Sequence, residues 1–158
     1  MLERPGRVFS PSVVIAVLAI SGMAASLMQT LLVPLLGDLP SILHASVDDV
    51  SWVITATLLS SAVATPTLSR LADMFGKKRM LIVCLALLLI GSVIGAMSAT
   101  LIWVIVARIF QGAAAALIPI AMSIMRDELP EEKLSSGVAL MSATLGIGAA
   151  IGMPLSGV

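Results

Sequence analysis

Aromatic and charged side chains are scarce in this chain of 158 residues: tyrosine is absent, aromatics make up 3% and charged residues 11%. Nine Lys plus Arg cancel nine Asp plus Glu to a formal net charge of zero, so the basic excess that neutralises nucleic-acid phosphates is missing. No nucleic-acid partner is expected. A single cysteine can build neither a disulfide framework nor a zinc cluster within the chain. With one histidine and no grouping of Ser, Cys or acidic residues suited to nucleophilic or metal catalysis, neither enzymatic activity nor a cofactor is expected.

What the chain has instead is apolar length. The apolar set accounts for 59% of the residues and the mean hydropathy is +1.12, well above a soluble domain. Val8 to Gly37, Val50 to Ser69, Met80 to Ala107, Ile109 to Met125 and Leu134 to Val158 carry no charge at all. A bilayer core about 30 Å thick takes roughly 20 apolar residues at 1.5 Å each, so runs of this length read as membrane spans. Ser98, Ala99 and Thr100 divide the third run, and Arg108 then lies inside the fourth span. The expected fold is all-α and integral to a membrane, with five transmembrane helices at about 12–36, 50–72, 79–97, 101–125 and 134–158. The runs show no two-residue alternation of the kind a barrel needs. Arg4 and Arg7 followed by Val13 to Ile20 resemble the start of a signal peptide, but the apolar stretch continues to Leu36, too long for an h-region of about 7–15 residues.

Orientation follows from the basic residues outside the spans. Eight lie at the N-terminus or in the second and fourth connections (Arg4, Arg7, Arg70, Lys77, Lys78, Arg79, Arg126, Lys133), and none in the first or third. The N-terminus is therefore expected in the cytoplasm, with the segment holding Asp38, His44, Asp48 and Asp49 outside. Trp52 and Trp103 fall near the outer interface, where amphipathic rings prefer to sit. Ser46 with Asp49 reads as a capping box, and Pro130 with Glu131 and Glu132 as the first turn of the fifth helix. Pro34, Pro66 and Pro119 lie inside spans, and each removes one backbone hydrogen bond.

Three constellations stand out. The first is Ser69-Arg70-Leu71-Ala72-Asp73-Met74-Phe75-Gly76-Lys77-Lys78-Arg79, a short basic turn in which Gly76 can end one helix and the cations anchor to an anionic leaflet. In the second, Arg108 lies roughly 10 Å below the outer end of its helix, with Gln111 and Gly112 three and four positions on. A guanidinium at that depth faces either a polar cavity or, by snorkelling, the interface. The third runs from Gly146 to Gly157 and puts Gly148 and Gly152 on one face, a small-residue stripe that lets helices approach closely. Gln29 and Thr30 are the polar exceptions in the first span. No carboxylate lies deep in any span.

The first constellation resembles the loop motif G-x-L-A-D-x-x-G-x-[RK]-[RK] of the major facilitator superfamily, between helices two and three, with Ser69 in place of the first glycine. The second is similar to that family's R-x-x-Q-G-x-x-A-A motif. The third resembles the fifth-helix motif G-x-x-x-G-P-x-x-G-G of its drug/proton antiporters, with Pro154 and Gly157 in register and Gly148 and Gly152 beside them. The resemblance implies a cytoplasmic gating loop at Ser69, Asp73, Gly76, Lys77, Lys78 and Arg79. It implies a proton or substrate pathway at Gln29, Arg108, Gln111 and Gly112, and an antiporter-type helix at Gly148, Gly152, Pro154 and Gly157. On this reading the chain is a partial N-terminal transmembrane domain, the first five helices of a carrier in the plasma (inner) membrane. Its partners are the lipid bilayer, helices C-terminal to this chain and, in the complete carrier, protons and a small-molecule substrate. The implied function is proton-coupled export of amphipathic drugs or metabolites. A truncated non-transporting membrane fragment and a proton-coupled importer of another small solute remain alternatives.

Overall fold

The structure, a computed structural model, describes residues 11–155. Within them the chain is helical: α1 (Pro11–Thr30), α2 (Leu32–Leu35), α3 (Leu39–Ile42), α4 (Val47–Phe75), α5 (Lys77–Ala96), α6 (Leu101–Ala113), a 3-10 turn (Ala114–Ala116), α7 (Leu117–Glu128) and α8 (Glu131–Leu155). Five helical segments are long and apolar enough to cross a membrane: Ser12–Leu35, Val47–Phe75, Lys77–Ala96, Leu101–Glu128 and Glu131–Leu155.

The helices differ from the uncharged runs at their ends, because a helix stops at its cap and not at its first charge. Ser46 caps α4: its Oγ accepts the Asp49 N–H at 3.1 Å and donates to Asp49 Oδ2 at 2.7 Å, so α4 begins three residues before the expected 50. At the other end Gly76, with φ +103°, turns the chain directly into α5. A residue with a Cβ would be strained there. The fourth span runs on to Glu128, and the fifth opens at Glu131 after Pro130, whose carbonyl accepts the Lys133 and Leu134 N–H groups. Pro34 coincides with a break at Leu31 between α1 and α2, and the 3-10 turn stands just before Pro119, whereas α4 passes through Pro66 unbroken.

The core is centred on α7. Leu117, Ile120, Ala121, Ile124 and Met125 recur at three- and four-residue intervals and are buried against Leu18 of α1, Ala72 of α4, Met80, Leu81 and Cys84 of α5, and Met141 of α8. Around it α1 packs on α8, and α6 packs on both α4 and α5. Between transmembrane helices the aqueous hydrophobic effect offers little drive, so close contact depends on small residues. Gly112 lies against the Thr57 backbone of α4, Gly91 against Ala107 and Gln111, and Gly148 and Gly152 against α1 at Met23 and at Leu27 with Thr30. The outer surface carries exposed Ile20, Leu58, Leu59, Val63, Ile82, Leu89 and Ile102, a large apolar girdle that suits lipid contact.

Candidate functional site

At the level of Ala25 to Thr30 on α1, the core gives way to a cavity of about 270 Å³. Its polar lining comes from Ser26, Gln29 and Thr30 of α1, Thr57 of α4, and Arg108 and Gln111 of α6. Leu88, Ala115 and Leu145 bring α5, the 3-10 turn and α8 to the same space. Among the described residues Arg108 is the only charged one on the wall. Its Nη1 reaches the Met28 carbonyl of α1 at 3.5 Å, a long contact. The side chain therefore turns inward to α1 rather than snorkelling along its own helix. Gln111 contributes a buried Oε1 with no hydrogen-bond partner.

The hydroxyls on this wall are committed elsewhere. Thr57 Oγ1 donates to Val53 O at 2.8 Å, Thr30 Oγ1 to Ser26 O at 3.1 Å, and Ser26 Oγ crosses to α8, donating to Leu145 O at 2.7 Å. Pro119 has no N–H, so the usual i+4 donor to the carbonyl of Ala115 is missing beside the cavity. The site is thus a small, mainly apolar chamber with one cation and one unsatisfied amide, the composition expected of a site for an organic ligand.

Of the residues expected on the pathway, Gln29, Arg108 and Gln111 share this chamber, and Gly112 does not line it. Gly112 instead fills the crossing of α6 with α4, where Ser60 Oγ donates to Ile109 O at 2.6 Å. Gly148 and Gly152 occupy the α1–α8 contact, behind the wall that Ser26 and Leu145 provide. Pro154 is exposed near the end of α8, and Gly157 lies outside the described residues. Ser26 and Thr57 were not singled out by the sequence, because neither differs from ordinary span residues until the helices are packed.

The basic turn forms a second cluster. Lys77 Nζ lies 2.6 Å from Asp127 Oδ2, and Lys78 Nζ 2.9 Å from Glu128 Oε1, tying the first turn of α5 to the last turn of α7. Asp73, Gly76 and Arg79 line the same surface groove, whereas Ser69 does not. Among the described residues Asp73 and Arg79 make no ion pair. Asp127 and Glu128 escaped the sequence reading although a signal existed. Acids in a last turn and lysines in a first turn both oppose their helix dipoles, and each misplacement is relieved by the other.

The model of the Major Facilitator Superfamily matches residues 18–158. Among curated proteins the chain is 34% identical over 116 residues to the probable multidrug resistance protein EmrY of Escherichia coli (strain K12), covering 73% of this chain and 23% of that one. It is 33% identical over 113 residues to multidrug resistance protein 3 of Bacillus subtilis (strain 168), covering 71% and 22%. To the tetracenomycin C resistance and export protein of Streptomyces glaucescens it is 32% identical over 116 residues, covering 73% and 22%. The chain thus spans about a quarter of the length of the curated relatives it matches. Its five membrane-crossing helices and the family match over residues 18–158 identify it as a multi-pass membrane protein that belongs to the Major Facilitator Superfamily of transporters.

Proposed function

We propose that this chain is the N-terminal part of a secondary carrier that exports amphipathic organic compounds across the plasma membrane in exchange for protons, with its N-terminus in the cytoplasm. The observation that carries the reading is the chamber walled by Arg108 and Gln111 at mid-helix, a concave and largely apolar site with few polar groups. Three relatives named for drug resistance or export support the direction and the kind of cargo. In this reading five helices of one half meet a second half across the substrate, and rocking alternates access. The basic turn at Asp73 to Arg79, braced by Asp127 and Glu128, works as a cytoplasmic latch between the halves.

The test is Arg108→Ala in the complete carrier. Export driven by a proton gradient should be lost while membrane insertion is kept, because removing an intramembrane arginine favours insertion by roughly 2.5–3.5 kcal/mol on translocon scales. Unchanged export would remove Arg108 from the mechanism. Uptake driven by the same gradient would reassign the protein as an importer.

A further inference from the structure

The charge inventory of the chamber is unbalanced. Arg108 brings a permanent cation with five N–H donors, of which one makes a single long contact to Met28 O. Among the described residues no carboxylate offsets it. The nearest acids along the contributing helices are Asp49, eight residues before Thr57, and Asp38, eight residues after Thr30, each about 12 Å away if measured at helical rise. The nearest acid after Arg108 on its own span is Asp127, nineteen residues on, where it pairs with Lys77. Met28, whose carbonyl meets the guanidinium, has a thioether side chain that accepts from Ser92 Oγ at 3.6 Å and supplies no charge.

A half-buried cation with no carboxylate partner among the described residues draws counter-charge from whatever occupies the space beside it. Gln111 reinforces the preference: it lines the same wall and carries an NH2 donor in its terminal amide. The wall hydroxyls already donate to backbone carbonyls, so Arg108 and the amides of Gln29 and Gln111 are the donors left to a ligand. Leu88, Ala25, Ile118 and Leu145 complete the wall with apolar surface suited to a hydrocarbon body. We infer that the chamber binds an amphipathic organic anion, its carboxylate held by Arg108 and Gln111 and its apolar body against α5 and α8, and that it rejects organic cations. This inference rests on the export reading above and narrows its substrate class.

The test uses the 158-residue chain in phosphatidylcholine nanodiscs, with radiolabelled octanoate and octyltrimethylammonium as probes of similar tail length and opposite charge. Empty nanodiscs measured alongside remove partitioning into lipid. Octanoate should bind saturably and at least tenfold more tightly than the cation. Arg108→Gln should weaken octanoate at least tenfold, and Arg108→Lys should restore part of the loss. Met28→Glu, which supplies an internal carboxylate beside the guanidinium, should displace octanoate. Circular dichroism and protection of Cys84 from maleimide, checked on every variant, separate loss of binding from loss of fold. Equal or tighter binding of the cation would overturn the anion assignment and leave the chamber of an amphipath carrier in place. Octanoate binding that survives Arg108→Gln would overturn it as well. Saturable binding of neither probe to the folded chain would overturn both the assignment and the chamber as a substrate site.

Discussion

Gly112 and Gly146 differ in what a methyl group would meet. A Cβ on Gly112 runs into the Thr57 carbonyl and Ser60, whereas on Gly146 it finds nothing within 4 Å. Gly112→Ala should therefore destabilise the chain by about 1–3 kcal/mol through overpacking at the α4–α6 crossing. Gly146→Ala should be neutral or stabilise by up to ~1 kcal/mol through helix propensity. Denaturation of the two variants in mixed micelles checks this, and equal midpoints would refute the crossing as a tight contact. Such a contrast was not legible beforehand: both glycines sit in apolar, small-residue surroundings, and only the partner helix tells them apart. Arg108 was legible because a charge inside a span demands an explanation by itself. That its first contact would be the Met28 carbonyl was not, because a backbone acceptor leaves no mark in the sequence.

At the scale of elements, the five long helices were readable from the bilayer's length rule, which depends only on counting uncharged residues. Their partners were not. The pairing of α1 with α8 joins segments more than a hundred residues apart, and the Gly148–Gly152 stripe shows that α8 packs closely without saying on what. The same holds where α5 meets α7. Each of those ends looks unfavourable alone, and antiparallel packing makes them complementary in both side-chain charge and helix dipole. Lys77 retains 24% and Asp127 58% of its side-chain exposure, so solvent screens the pair. A double-mutant cycle of Lys77→Ala and Asp127→Ala should accordingly give a coupling below about 1 kcal/mol, falling further in high salt. A coupling several times larger and indifferent to salt would mean that the turn is dry. If export in the complete carrier falls sharply while stability barely changes, the pair acts on the rocking equilibrium and not on the fold.

For the molecule as a whole, sidedness and activity are the properties to test. The eight-to-zero division of exterior Lys and Arg predicts that, in a Cys84→Ala background, His44→Cys reacts with an impermeant maleimide in intact cells and Met74→Cys only after permeabilisation. Both positions are exposed, so access and not burial decides the result. The reverse pattern would invert the topology. Activity follows from what the five helices can do by themselves. Each long segment is helical and apolar enough to insert, and the core around Leu117, Ile120 and Met141 holds them together. The chamber accordingly belongs to this bundle and should bind in its absence of partners. Transport asks for more, since a ligand moves a carrier only if two states of the whole assembly bind it differently, and those states differ in how one half leans on the other. Here Asp73 and Arg79, the proposed latch, make no ion pair among the described residues. Vesicles holding residues 1–158 alone should therefore bind the octanoate probe yet show no gradient-driven flux, with leak equal to that of empty vesicles. Flux that depends on a proton gradient and disappears in Arg108→Ala would show that copies of this chain assemble into a working carrier.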